Sequence, residues 1–417
     1  MRFLVALCFS YMAIWGISIE DVFLHVEKNN LSLQASSLNQ EKAILKTQQV
    51  QNSHFGTLAL NGNYTHYNDD RTLAPMTPPI APNIPTDDRI LSLGASYRVV
   101  LFDGFGMRQD VEIAKLGSAM AALQYNQTIW SLKRNVVSLY MAGLKLQQNK
   151  TLQIEHLDAL KKLETIIKEE EKIGKRAQVE VIQIETERMR ASAGLAQIDG
   201  ELSNVLLTIE RLMNTKTKIN FLDPIAMEDV KTLPSIIDSE VEQTSPIQMA
   251  KMQISQAQRA YNKTKSSNLP KVTFETLYSR NYGDGEHEDI YQASLGFQWI
   301  AFDFGVRNKQ IEQARLEHLK TTIEAQNQKE LLLTSLAQAQ NSTQKAQESY
   351  NLAIQEAKLA KVVESIEYEK LKEGVITMQS YLLQNVASHR ARVNVQSAKY
   401  TLLESIYHYL ILLEKPL

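Results

Sequence analysis

Two hydrophobic periods take turns along this chain. In four short stretches apolar residues occupy every second position, the spacing of a strand with two unlike faces. From Tyr291 to Ala301 one face carries Tyr291, Ala293, Leu295, Phe297 and Trp299, and the other Gln292, Ser294, Gly296 and Gln298. Leu91, Leu93, Ala95, Tyr97 and Val99 alternate with Ser92, Gly94, Ser96 and Arg98. Val272, Phe274, Tyr278 and Tyr282 alternate with Thr273, Glu275, Ser279 and Asn281, and Leu58, Leu60 and Tyr64 with Thr57, Asn61 and Asn63. Elsewhere the period lengthens. Ile184, Ala191, Leu195, Ile198, Leu202, Val205, Ile209 and Leu212 step mostly by three and four, as do Leu352, Leu359, Val363 and Ile366. That spacing predicts helices packed along narrow coiled-coil seams, with broad polar faces left over.

Proline marks where the helices can run. Five of the ten prolines fall between Pro75 and Pro85, none between Pro85 and Pro224, and none between Pro270 and Pro416. Met107–Ile173, rich in Ala, Leu, Gln, Lys and Glu, reads as one helix of about 100 Å. A return helix over Lys175–Met213 and a first helix near Ile19–His54 would each cover a little over half that length. The second half repeats the arithmetic. Setting Asp103 on Asp303 also sets Glu112 on Glu312, Ala114 on Ala314, Leu116 on Leu316 and Gly174 on Gly374. The chain is therefore a tandem duplication. The first repeat is 19–213 with a hairpin over 56–102, a linker occupies 214–235, and the second repeat is 236–417 with a hairpin over 270–302.

Composition decides where such a molecule works. Arg2 followed by the apolar run Phe3–Ile17, with small Gly16 and Ser18, reads as a secretory leader over 1–18. The only cysteine, Cys8, lies inside it, so the mature chain has neither disulfides nor thiolate metal ligands. A net charge of −2 offers no footprint for nucleic acid. No run of 18 apolar residues follows the leader, which leaves a β-barrel as the route across a membrane. Strands of about 9–11 residues with aromatic ends suit that route. Single-chain barrels of the outer membrane need about eight strands or more. Four strands per chain therefore call for several chains around one barrel, and a trimer would supply about twelve. Gln292, Gln298, Ser96 and Arg98 are expected to face its lumen.

These residues resemble the TolC-type outer-membrane efflux proteins over nearly all of the mature chain. The resemblance rests on the duplication, on the phrase FDGFGMR at Phe102 and its counterpart FDFGVR at Phe302, and on the glycine breaks at Gly174 and Gly374. It implies an α+β membrane protein: a homotrimer with a 12-stranded barrel in outer-membrane lipid, continued by a periplasmic α-helical barrel. It further implies docking onto a periplasmic adaptor (a membrane fusion protein) and an inner-membrane pump, in tripartite efflux or type I secretion. Carried over by position, Ile173, Gly174, Lys175, Glu373, Gly374 and Val375 are the adaptor-docking tips, and Glu180 is an acidic gate residue. The second tip departs from the pattern. Ser380 and Leu383 stand where familiar members narrow the entrance with two aspartates, and Leu371 and Ile376 stand where those members have a gate-linking Tyr and Arg.

Other chemistry is sparse. Asp303-Phe304-Gly305 spells the magnesium-binding phrase of a kinase, but no glycine-rich loop or His-Arg-Asp loop accompanies it. Asp103, Gly106, Asp303 and Gly305 instead read as a barrel-to-helix junction, each Asp capping the helix that follows and each glycine easing the turn. GDGEHEDI at 283–290 lacks calcium-loop spacing and reads, with the proline-rich Thr72–Asp88, as a loop at the outer mouth. The histidines are scattered, with no metal spacing. The charge run Lys168–Lys175 is either a solvated helix end or a docking surface. No constellation supports an enzyme, a cofactor or a metal. A pore-less periplasmic coiled-coil protein is the alternative to the channel.

Overall fold

The computed structural model describes residues 16–76, 84–226 and 238–417. The leader up to residue 15, part of the linker and the middle of the proline-rich loop lie outside the described residues. The elements run α1 (Ile19–Asn29), α2 (Leu31–Asn52), β1 (Thr57–Thr72), β2 (Thr86–Phe102), α3 (Gly106–Lys172), α4 (Gln178–Met213), the short α5 (Asp238–Val241), α6 (Ser245–Ser266), β3 (Lys271–Gly283), β4 (Glu286–Gln298), α7 (Val306–Lys372) and α8 (Met378–Leu412). Both long helices have 67 residues. Among the described residues no helix is long and apolar enough to cross a membrane.

The chain divides into two compact units. One gathers Ser37–Gln124 and Pro246–Lys329 and holds a four-stranded antiparallel sheet in the order β1-β2-β3-β4. Its register sorts the faces. Arg98 stands opposite Glu275, which in turn faces Ser294, and on the other face Val99, Phe274 and Leu295 line up across three strands. A bulge between Val100 and Phe102 turns Phe102 to the apolar face, opposite Val272. The strands exceed the expected length at the loop ends, and β4 stops at Gln298 rather than continuing to Phe302. Beyond Gln298 the ladder with β3 is finished, because β3 begins at Lys271, its partner.

The other unit gathers Met1–Ser36, Tyr125–Ser245 and Glu330–Leu417. Its main core joins Val22 and Val26 of α1, Val136, Tyr140 and Leu144 of α3, Leu206 and Ile209 of α4, and Tyr400 and Leu403 of α8. The linker folds back onto α3. Gln147 donates Nε2–H to the Leu222 carbonyl at 3.0 Å and accepts the Leu222 N–H at 3.1 Å, while the Tyr140 hydroxyl donates to the carbonyls of Ile17 and Asp223. Ile17 pairs with this segment, and Ser18 caps α1 by accepting the Asp21 N–H at 3.1 Å. Cleavage after Ser18 would remove both.

The α4 seam is buried at Ile184, Ala191, Leu202 and Ile209, as its spacing predicts. The α7 seam is not. Leu352, Leu359, Val363 and Ile366 are exposed, and α7 instead buries the small Thr343, Ala346 and Ala353 within the chain. Ala346 packs against Leu402 and Ile406 of α8, and the leucine stripe is left exposed.

Candidate functional site

Each pair of long helices meets at a tight turn, the first within 173–177 and the second within 373–377. Both turns are Schellman motifs built on a left-handed glycine. Gly174 (φ +78°) donates to the Glu171 carbonyl at 2.9 Å, and Lys175 to that of Glu170 at 2.9 Å. Gly374 (φ +73°) donates to Leu371 at 3.1 Å, and Val375 to Lys370 at 2.9 Å. No atom lies within 4 Å of where a Cβ would sit at either glycine, so backbone conformation alone asks for glycine there. Ile173 and Val375 are about 70% exposed, one apolar side chain held out to solvent on each turn.

Beneath the turns a small core of Leu160, Leu163 and Ile167 (α3), Ile184 (α4), Leu371 (α7) and Met378, Tyr381 and Leu382 (α8) holds the four helices together. Leu371 and Ile376 serve this core. Burial pushes the Tyr381 phenol up to about 12. Arg176 ties the two turns to each other: its guanidinium meets Glu170 at 2.9 Å, Glu180 at 3.7 Å and the Leu371 carbonyl at 2.7 Å. Glu180 is thus paired inside the chain. Ser380 donates its N–H to Thr377 Oγ1 at 3.2 Å, making Thr377 the cap of α8, whereas α4 starts on Ala177 with no side-chain cap. Leu383 is exposed and lines an open groove of about 620 Å³ between α4 and α8 with Gln183, Glu187, Arg190 and Arg390.

Much of the charge run is engaged internally. Lys168 bridges Glu164 and Glu185 at 2.7 Å each, and Arg188 reaches Glu164 at 2.6 Å. Burial pushes the Glu164 carboxyl up, but Lys168 and Arg188 pull it down further, and the net shift is downward. Glu169, Lys172 and Lys175 remain exposed.

Farther along the same helices lies a polar cluster that sequence reasoning missed. The rings of His156 (α3) and His389 (α8) stack at 4.3 Å, inclined by 16°. Gln153 donates its amide to the Ala191 carbonyl at 2.8 Å, so its oxygen must accept from His389 Nε2, 2.8 Å away. This fixes the proton on Nε2 and leaves Nδ1, which has no protein partner, unprotonated. Burial, then His156 and Arg392, push His389 down to about 4, and burial and Arg392 push His156 down too. The only sequence signal was two histidines 233 positions apart on separate helices, which a single sequence cannot pair. Among the described residues no group of three or more potential ligands converges as a metal site.

At the other junction, Asp303 accepts the N–H of Gly305 at 3.2 Å and of Arg307 at 3.0 Å, and holds the Arg307 guanidinium at 2.7 Å. Asp103 accepts the Met107 N–H at 2.7 Å. The left-handed residues are Gly104 and Phe105 in the first copy and Phe304 and Gly305 in the second. Gly106 does not carry the turn; it opens α3. On the sheet, Arg98 forms a bidentate pair with Glu275 at 3.1 and 2.9 Å, on the face shared with Ser96, Gln292 and Gln298.

The sequence profile of the family described as Outer membrane efflux protein matches residues 25–215 and 236–406, one match per repeat. No curated protein matches the chain by sequence. Solved structures share its fold. A crystal structure of CusC, described in terms of folding and transmembrane channel formation, aligns with a TM-score of 0.83 at 12% identity, over 95% of this chain and 92% of that one. The Campylobacter jejuni CmeC outer membrane channel gives 0.78 at 16% identity, over 95% and 85%. The open MtrE channel of Neisseria gonorrhoeae gives 0.79 at 15%, over 95% and 89%. With the profile matching both repeats and the sheet and hairpins placed as above, this chain belongs to the outer membrane efflux protein family: an outer-membrane protein with a periplasmic helical tunnel, acting as the channel component of efflux.

Proposed function

We propose that three copies form a passive conduit, and that the turns at Ile173–Lys175 and Glu373–Val375 receive a periplasmic adaptor coupled to an inner-membrane pump. The observation that carries this reading is the unfinished state of the single chain. Its sheet has four strands and two open edges, β1 and β4, which cannot stand in lipid with their backbone groups unpaired. The exposed α7 seam, with Leu359 at 65%, supports the same assembly, since a stripe of that spacing is completed by another helix. The polar face bearing Arg98, Glu275, Ser96 and Gln292 then lines the pore, and the protein supplies a path rather than a reaction. Glu180, Ser380 and Leu383 stand at the entrance without a ring of aspartates. Chemical cross-linking of detergent-solubilised protein, combined with planar-bilayer recording, tests the conduit. A ladder ending at three chains and stable conductance are expected, and a monomer with no conductance would overturn it.

A further inference from the structure

On β2 the polar face of Arg98, Ser96, Gly94 and Ser92 ends, toward the hairpin, in Ile90, which is only 8% exposed. Leu73, one residue past the end of β1, is 1% exposed. Two buried aliphatic side chains at the open end of a sheet need a cover, and the contacts of Leu73 place it on the polar face. Asn281 stands opposite Ser92 and so shares that face, and its Nδ2–H donates to the Leu73 carbonyl at 2.6 Å. Gly283 follows two residues later on the same face. A Cβ built on Gly283 would meet Leu73 Cδ2 at 2.9 Å and Asp87 Cβ at 2.6 Å. Gly283 is not left-handed, so glycine serves there to admit a neighbour rather than to make a turn.

The bend that brings the hairpin there lies in β1. His66 faces Arg89 and Arg71 faces Asp87, so residues 67–70 of β1 stand against Asp88 alone on β2. Surplus residues on one strand of a pair bend it and increase its twist. Beyond the bend the two limbs are tied together again. The Leu73 N–H donates to the Pro85 carbonyl at 3.1 Å. Asp87, 6% exposed, accepts the Arg89 N–H at 2.9 Å. The base of the hairpin thus lies over the polar ends of β2 and β3 instead of continuing the plane of the sheet.

We infer that Leu73, held by Asn281 and Gly283, is a specificity-determining residue of the exit: it seats the base of the β1–β2 hairpin across the pore face, so that three copies narrow the outer mouth and set an upper size on what leaves. The inference rests on the conduit reading, which makes the polar face the pore wall. Every contact of the seat is made within one chain, so the narrowing is built before the copies assemble. The class of cargo it favours is the small solute over the polypeptide.

Two variants unseat the hairpin from opposite sides. Leu73→Ser withdraws the apolar side chain, and Gly283→Val fills the space it occupies. In planar bilayers both are expected to raise the single-channel conductance and to admit larger polyethylene glycols from the outer side, with the size cut-off from the tunnel side unchanged. A parent that conducts, with both variants matching it, overturns the inference and leaves the conduit standing. A parent that never conducts overturns both. The seat itself is read on intact cells, independently of conductance. In the mature chain, which has no cysteine of its own, Leu73→Cys should react far more slowly with a membrane-impermeant maleimide than Met76→Cys, which lies 55% exposed on the same hairpin. Equal rates, or no labelling at either position, overturn the seated hairpin.

Discussion

Acidification should loosen the helical unit at one place, the His156–His389 stack. His389 is held down to about 4 in the folded chain, against about 6.5 for an unperturbed imidazole. The open state therefore binds more protons at any pH between those values. The contribution of the neutral stack is fully present above about pH 6.5, declines as pH falls, and levels off below about 4. The displacement corresponds to about 3.4 kcal/mol as a ceiling. His389 is only partly buried, and solvent screening brings the expected loss to about 1–2 kcal/mol. Burial sets the sign; His156, Arg392 and Arg390 also oppose protonation, and Glu364, which accepts from Asn385 at 2.6 Å, favours it only partly. Native-state hydrogen exchange over 385–392 of the intact protein, corrected for intrinsic rates, reads the effect locally. Protection should drop by about five- to thirtyfold between pH 7 and pH 4.5. His389→Gln keeps a donor toward Gln153 and cannot titrate, so its protection should fall less steeply with pH, by what His156 alone contributes. Equal slopes in the two proteins would refute the assignment.

Three further perturbations follow from the geometry. Gly174→Val and Gly374→Val each force a β-branched residue into a left-handed turn, at a cost of about 1–3 kcal/mol confined to the tip, whereas Gly→Asn should be nearly neutral. Export of substrate by cells should fall for valine with trimers still in the membrane, and unchanged export for both valines would refute a docking role. Asp303→Ala leaves two backbone N–H groups without their carboxylate acceptor and removes the Arg307 partner, and should cost about 1–2 kcal/mol, more than Asp103→Ala, which takes the acceptor from the Met107 N–H; the order of the two melting shifts checks this. Leu359→Lys should leave the chain folded, because its side chain is exposed within the chain, but weaken assembly; trimer dissociation in detergent, followed by light scattering, would show no change if the α7 seam were not an interface.

How far the sequence could be read depended on whether a pattern was local. Alternation along single strands was enough to sort Arg98, Ser96 and Gln292 onto one face, and the ladder places them so. Schellman glycines announce themselves because only the backbone asks for them. The α7 stripe misled in one respect: periodicity says that a face is apolar, not what covers it, and in this chain α8 packs on small residues while the stripe stays open. The turn at the first junction was misplaced by one glycine because φ is not written in composition, and Gly104 and Gly106 differ only in what surrounds them. The histidine stack and the Arg176 links depend on which helices become neighbours across some two hundred positions, which no local pattern encodes.

Those Arg176 links bear on how the tip can move. Had Glu180 been free, the first turn would carry an unpaired acid at the entrance and could answer a partner on its own. Instead one guanidinium reaches Glu170 before the first turn, Glu180 after it, and the Leu371 carbonyl at the end of the other long helix. That carbonyl also accepts the Gly374 N–H, so it belongs to the second Schellman turn. A displacement of either turn is therefore felt by the other through a single side chain that is largely shielded from water. A charge-assisted bond to a carbonyl is worth about 1.5–3 kcal/mol, comparable to the cost of straining one turn. A partner that grips 173–175 would thus be expected to shift 373–375 as well before the link gives way. The two halves of the duplication, unequal in their caps and cores, are thus joined at their turns into one mechanical piece.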